Sequence, residues 1–381
     1  MFIKRFVSIL LVLLLVPFFA TAESSALSDT DVSSPSVVLI EPSSLKILYE
    51  KNANEQRACA SITKVMTLLL IMEAIDEGQI GYDDVVTTSE HAKSMGGSDI
   101  WLEVGEQMTV DEMIKATAVA SANDAAVALA EHLCGSESDF VALMNQRAKE
   151  LNMKNTVFKN CNGLDEEGHI TTAYDVALMS AQLIKHEKIF DYTTIWIDEL
   201  RGGETQIVNT NKLLKSYDGI TGLKTGTTSQ AGSCISATAT RDGMSLVAVV
   251  LGSDTGTERF KDASVLLDYG FANFEVLNFD GKSNKLGDIK VNGGMDKSVE
   301  LECSGMNSVV LKKGSAKDAK INQKIDESVD APVKKNQKVG TISYTLDGKE
   351  VASFDVVTKN EVEKMTFSAV LSELFTSMVA M

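Results

Sequence analysis

The chain has only four histidines and none in an H-E-x-x-H pair, which leaves little material for a histidine-built metal site. Its five cysteines, Cys59, Cys134, Cys161, Cys234 and Cys303, include no C-x-x-C pair, so a zinc ribbon and a disulfide-dense scaffold are excluded. Basic charge is scarce too: 36 Lys and Arg stand against 53 Asp and Glu, a net charge of −17 over 381 residues. A surface of that sign does not bind a phosphate backbone, so no nucleic-acid partner is expected. There is no internal repeat and no long low-complexity tract. What is present is ordinary for folded proteins, 44% hydrophobic and 23% charged residues, at a length of two or three domains.

The N-terminus sets the compartment. Lys4 and Arg5 precede an apolar run over 6–19 broken only by Ser8 and Pro17, and Ala20, Thr21 and Ala22 form a small-x-small exit. Charge, short apolar core and small-residue exit describe a secretory signal peptide over 1–22. The alternative is an N-terminal transmembrane anchor, for which the run is short. Export permits disulfides, but five cysteines is an odd number, so at least one thiol stays free or pairs between chains. Most read as small buried hydrophobes. Residues 23–36, rich in Ser and Asp, read as a flexible tether.

From there the texture alternates. Residues 37–40 and 45–49 read as strands joined by a turn at Pro42. Val65, Leu68, Leu69, Met72 and Ile75 have helical spacing, and further helices are expected over 109–119, 124–133, 138–151 and 172–186. Strands return at 234–240 and 246–251, linked through Asp242 and Gly243. Strands, then helices, then strands predict an α+β catalytic domain over 37–273, an antiparallel sheet flanked by helices. After Phe274 short alternating runs predict a small β-rich domain over 274–358. The last segment, 359–381, reads as an amphipathic helix. Phe367, Val370, Leu371, Leu374, Phe375, Met378 and Val379 fall on one stripe. Such a helix either docks on its own domain or lies in a membrane surface by apolar area alone, its polar face being acidic.

Three short motifs carry chemistry. Ser61 and Lys64 form S-x-x-K at the start of a helix, where residues i and i+3 share a face and the first-turn N–H groups can face an oxyanion. A lysine serves as base only when burial or a neighbouring cation depresses its pKa. Ser121 and Asn123 form S-x-N between two helices, and Lys224, Thr225 and Gly226 form K-T-G ahead of a strand. There, period-2 alternation sets Lys224 beside Gly226, which leaves room for a ligand backbone. Each motif alone has a bland reading as a helix cap or a solvated lysine. Together, in this order, they are specific.

These residues resemble the penicillin-recognising serine enzymes, and within them the low-molecular-mass D-alanyl-D-alanine carboxypeptidases of serine peptidase family S11. The likeness runs from about Val37 to Phe274 through stretches such as VASANDAAVALAEHL and GITGLKTGTTSQAGSC. It implies the transpeptidase/β-lactamase-like fold, with Ser61 as acyl-enzyme nucleophile and Lys64 as its base. Ser121 and Asn123 then move a proton and hold the substrate amide, while Lys224 and Thr225, helped by Arg259, bind the terminal carboxylate. The oxyanion hole would be the N–H groups of Ser61 and Thr227. The implied substrate is the peptidoglycan stem pentapeptide at the outer face of the cell membrane. β-Lactams would be acylating inhibitors, a membrane surface would meet the terminal helix, and no metal or cofactor is needed. Two positions depart from the family: Cys59 replaces a proline, and Thr227 stands where some relatives carry histidine or an aromatic. A class A-like β-lactamase is disfavoured, because no E-x-x-L-N follows S-x-N: Leu151 and Asn152 are preceded by Ala148 at the glutamate position. A catalytically idle penicillin sensor is the alternative from another class. It would acylate once and release no D-alanine.

Overall fold

The structure, a computed structural model, describes residues 27–28, 31–278, 286–304, 308–368 and 371. The expected signal peptide lies outside the described residues. Five antiparallel strands form the main sheet: β1 (Ser36–Glu41), β2 (Lys46–Lys51), β3 (Ile220–Thr228), β4 (Gly232–Arg241) and β5 (Met244–Ser253). Their order is β2-β1-β5-β4-β3, so the K-T-G strand is an edge.

Alternation along the central strands feeds two cores. Val38, Ile40, Val247, Val249 and Leu251 enter one cluster, and Val37, Leu39, Leu246, Ala248 and Val250 the other. The first is covered by α1 (Lys64–Asp76), α2 (Val110–Lys115), α3 (Asn123–Cys134), α4 (Glu137–Glu150) and α5 (Ala173–Leu183). The second is covered by α6 (Gly256–Asn273), through Ala263, Leu266, Leu267 and Phe271. The predicted α+β architecture is therefore a three-layer sandwich, and α6 is its unforeseen outer layer. The pattern in α1 is also broader than an amphipathic stripe: every residue from Lys64 to Met72 is buried, as in a helix that runs through a core.

The tether reading of 23–36 fails at its end. Val32 is buried, and the carboxylate of Asp262 on α6 accepts from the Ser34 N–H at 2.7 Å and from the Ser33 hydroxyl at 3.1 Å. Lys51 adds a bond to the Val32 carbonyl at 2.9 Å. Polar composition alone does not separate a mobile tether from a set of donors for a buried carboxylate.

A β-rich unit follows. Phe274–Asn278 pairs with Ser308–Lys312, and a six-stranded sheet has Lys349–Thr358 and Ser298–Ser304 at its centre, the former paired on its other side with Lys338–Leu346 through a turn at Asp347 and Gly348. The expected terminal helix starts later than 359. Val333 bridges Val362, Gly294 bridges Lys364, and Val362 is buried in the sheet's own core. Helical geometry begins at Phe367; residues 369–370 and 372–381 lie outside the described residues. No helix among the described residues is long and apolar enough to cross a membrane.

Candidate active site

Ser61 does not open an α-helix. It sits in a 3-10 turn, Ala60–Thr63, that runs straight into α1 at Lys64. In 3-10 geometry residues i and i+3 eclipse, and this sets Lys64 over Ser61. Lys64 Nζ lies 3.1 Å from Ser61 Oγ. The turn is held from outside. Thr63 donates to the Ala60 carbonyl at 2.9 Å, and His169 Nε2 lies 2.8 Å from the Thr63 hydroxyl. The other ring nitrogen, Nδ1, accepts the Lys159 N–H at 3.2 Å, so the ring proton is on Nε2 and donates to Thr63. Burial lowers this histidine's pKa to about 4.

Lys64 is 0% exposed and its ammonium has three acceptors: Ser61 Oγ, Asn123 Oδ1 at 2.5 Å and the Asn162 carbonyl at 2.6 Å. Burial lowers its pKa to about 7, against the opposing pull of Asp124 and Asp99. Desolvation thus supplies the depression the sequence could only require.

The S-x-N pair arrives by a helix irregularity. Thr109 and Glu112 form a capping box that starts α2, and the helix then widens into a π-turn over Ala116–Ala120. Ser121 follows in the left-handed region (φ 63°) and α3 begins at Asn123. Such π-turns re-aim the chain at functional sites. Asn123 is not a helix cap: its Nδ2 donates to the Gly96 carbonyl at 2.6 Å while its Oδ1 holds Lys64. Ser121, 4% exposed, lies two residues away.

Lys224 on β3 is buried, donates to the Thr225 carbonyl at 3.1 Å, and is held well below its ordinary pKa by burial, then by the charges of Lys64 and Arg259. Gly226 also serves a purpose that the sequence does not show. A Cβ there would stand 2.8 Å from Ser61 N and 3.0 Å from the Cys59 carbonyl, so the bare Cα admits the nucleophile's own turn. Arg259 on α6 reaches across to the Gly226 carbonyl at 2.9 Å and the Thr227 hydroxyl at 2.8 Å. It braces the edge strand that the ligand would line.

Sequence reasoning missed two supports. The Asn162 carbonyl is one; its neighbour Gly163 (φ 87°) packs so closely that a Cβ would be 2.0 Å from the Ala60 carbonyl. Asp124 is the other. It accepts the N–H groups of Ile100 and Leu102 at 3.1 and 3.0 Å and so fastens the loop over Asn123. The glycine in N-C-N-G-L was visible but had no partner until the fold supplied Ala60. All five cysteines are free thiols, with Cys59, Cys161 and Cys234 buried. Burial first of all raises the Cys59 thiol to about 12, which keeps it a neutral packing group beside the nucleophile.

A three-layer sandwich with a serine hydroxyl against a buried lysine at the foot of a central helix defines a class, the serine hydrolases of the penicillin-recognising fold. The comparisons narrow it. The family model described as D-alanyl-D-alanine carboxypeptidase matches residues 21–255, and the one described as penicillin-binding protein 5, C-terminal domain, matches 274–364. The chain belongs to the D-alanyl-D-alanine carboxypeptidase family S11. It is 44% identical to the carboxypeptidase DacF of Bacillus subtilis over 96% of each chain. Penicillin-binding protein 5 of Haemophilus influenzae superposes with a TM-score of 0.76 at 31% identity, covering 89% of this chain and 100% of that one. Penicillin-binding protein D2 of Listeria monocytogenes, solved in its ampicillin-bound form, gives 0.59 at 32% identity, over 64% of this chain and 100% of that one.

Proposed function

We propose that this protein removes the terminal D-alanine from peptidoglycan stem pentapeptides through an acyl-enzyme on Ser61. The observation that carries the reading is the saturation of Lys64. As an ammonium it spends three donors on Ser61, Asn123 and the Asn162 carbonyl. As a neutral amine it keeps two and turns its lone pair to the Ser61 hydroxyl, the arrangement a general base requires.

Lys64 takes the hydroxyl proton as Ser61 Oγ attacks the carbonyl carbon of the penultimate D-alanine. The N–H groups of Ser61 and Thr227 receive the oxyanion. Ser121 passes the proton to the leaving amine, the C–N bond breaks and D-alanine departs. Asn123 holds the substrate amide. Lys224 and Thr225 bind the terminal carboxylate on a strand edge kept in place by Arg259. Water then cleaves the ester, with Lys64 again as base. β-Lactams enter the same path and stop at the ester. The chain's own residues complete the chemistry without a metal or cofactor. Export through the N-terminal signal and attachment of the terminal stripe to the outer membrane surface complete the reading.

The test is mass spectrometry of the protein treated with labelled penicillin, together with D-alanine release from a D-Ala-D-Ala peptide. The label is expected on Ser61, absent in Ser61→Ala, with D-alanine released catalytically. Labelling without release would mean a penicillin sensor instead.

A further inference from the structure

One loop, 158–170, reaches the nucleophile's turn at two points. The Asn162 carbonyl accepts from Lys64 at 2.6 Å, and His169 Nε2 lies 2.8 Å from the Thr63 hydroxyl. Asn160 braces the loop from within, its side chain accepting the Gly163 N–H at 2.8 Å and donating to the Leu164 carbonyl at 3.0 Å. The first contact belongs to the base. The second has no part in the proton transfers.

Thr63 is fully buried, between Ser61 and Lys64 in sequence. Its hydroxyl accepts from His169 and donates to the Ala60 carbonyl at 2.9 Å. Ala60, just ahead of the nucleophile, has a left-handed backbone (φ 49°), which an alanine keeps only where its surroundings hold it there. In a planar trans peptide the C=O and the N–H point in opposite directions. The Ala60 carbonyl and the Ser61 N–H belong to one such peptide, so a bond that holds the carbonyl also aims the N–H. The imidazole is itself fixed: the Lys159 N–H donates to Nδ1 at 3.2 Å, and the Phe158 ring meets it edge-on with centroids 5.9 Å apart. With Nδ1 accepting, Nε2 carries the proton, and the chain from Nε2–H through Thr63 to Ala60 runs one way. Burial keeps the ring neutral, with the help of Lys159 and against Asp165 and Glu166. The direction therefore holds throughout the range in which Lys64 titrates.

We propose that His169 is a positioning residue for acylation: through the Thr63 hydroxyl it fixes the Ala60–Ser61 peptide and so aims the Ser61 N–H at the oxyanion. The inference rests on the carboxypeptidase reading, in which that N–H is half of the oxyanion hole. His169 carries no proton to Ser61, because the Thr63 hydroxyl stands between them and donates onward to Ala60. An oxyanion donor acts on the transition state more than on the bound ligand. Loss of its aim therefore lowers the acylation rate and leaves the preceding non-covalent binding of penicillin in place.

The experiment follows acylation by labelled penicillin over a range of concentrations, which separates the limiting rate from the half-saturating concentration. His169→Leu and Thr63→Val should each lower the limiting rate about 10- to 100-fold, with the half-saturating concentration within about twofold of its original value. His169→Gln, which keeps an N–H donor of similar reach, should recover most of the rate. The double variant Thr63→Val/His169→Leu should be no slower than the slower single one, since both break the same chain. The final amount of label counts folded sites, so a loss of stability lowers that amount and not the rate. If Thr63→Val does not fold, the two His169 variants decide. An undiminished rate in His169→Leu, equal losses in His169→Leu and His169→Gln, or losses that multiply in the double variant would overturn the positioning role. So would a shift of the pH midpoint away from about 7 in His169→Gln, which would make His169 a proton carrier. Absence of label on Ser61 in the unaltered protein would overturn the acyl-enzyme reading instead, so the two failures are distinct.

Discussion

The two regions of this chain use β-structure in opposite ways. In the catalytic region β4 and β5 are buried on both faces along nearly their whole length. In the C-terminal region strand Asp288–Asn292 alternates exposed and buried, and strand Lys320–Ile325 is exposed at every position but its last. Charge divides along the same line. Residues 27–278 carry 37 acidic and 19 basic side chains, residues 286–364 carry 13 of each. A sheet covered on both faces has an interior deep enough to desolvate an amine. A sheet covered on one face does not. Both lysines held well below their ordinary pKa, Lys64 and Lys224, lie in the first region, and that difference places the chemistry there.

The sharpest test of the contrast is Lys64 itself. Lys64→Ala should cut penicillin acylation about 10³-fold. It should also destabilise the catalytic region, because Asn123 Oδ1 and the Asn162 carbonyl lose the donor they share. The pH sign follows from the folded pKa of about 7. The base works as the neutral amine, so acylation is full above pH 7 and drops about tenfold per unit below it. A flat acylation profile from pH 5 to 8 would take Lys64 out of the base role.

How much of this was legible beforehand depends on which kind of partner a residue needs. Ser61, Ser121, Asn123 and Lys224 are legible as candidates because local motifs fix their spacing, and the layered α+β class follows from runs of strands and helices. The Asn162 carbonyl was not legible, since a backbone acceptor has no side-chain identity to read. Gly226 reads from sequence as leaving room for a ligand backbone; the second demand on that space, the turn at Cys59 and Ala60, is not legible because that turn is far away in sequence. Helix α6 was overlooked although Thr255 and Glu258 form a capping box at its start. The tether at 31–36 misled for a related reason: serines that pair with Asp262 look the same in sequence as serines in solvent.

A pair of glycines carries the comparison further. Gly163 and Gly314 both have positive φ, 87° and 84°. A Cβ on Gly163 meets the Ala60 carbonyl at 2.0 Å, whereas one on Gly314 meets nothing within 4 Å. Gly314→Ala should therefore cost only the left-handed strain, about 1–2 kcal/mol. Gly163→Ala adds a backbone collision that shifts the Asn162 carbonyl off Lys64, for a total of roughly 3–5 kcal/mol, with acylation lost. Thermal unfolding and penicillin labelling of the two variants separate these outcomes. Equal melting losses would mean that the catalytic loop yields as freely as a surface turn.

The smallest expected effect on catalysis comes from the tail. Val362 belongs to the core of the β-rich sheet, and the Met365 N–H still donates to the Gly293 carbonyl at 2.8 Å. Phe367, by contrast, is 84% exposed. Among the described residues the sheet's own backbone pairing ends at Met365, and we propose that the apolar stripe read from Phe367 onward meets a membrane surface. A chain ending after Thr366 should keep its melting temperature and its D-alanine release, yet no longer sediment with lipid vesicles. Binding of the full chain should persist in high salt, since Glu361, Glu363 and Glu373 outnumber Lys364 and attachment must come from apolar area. Should the shortened chain melt earlier, or remain with the vesicles, the stripe packs on the β-rich domain and that domain is more than a spacer.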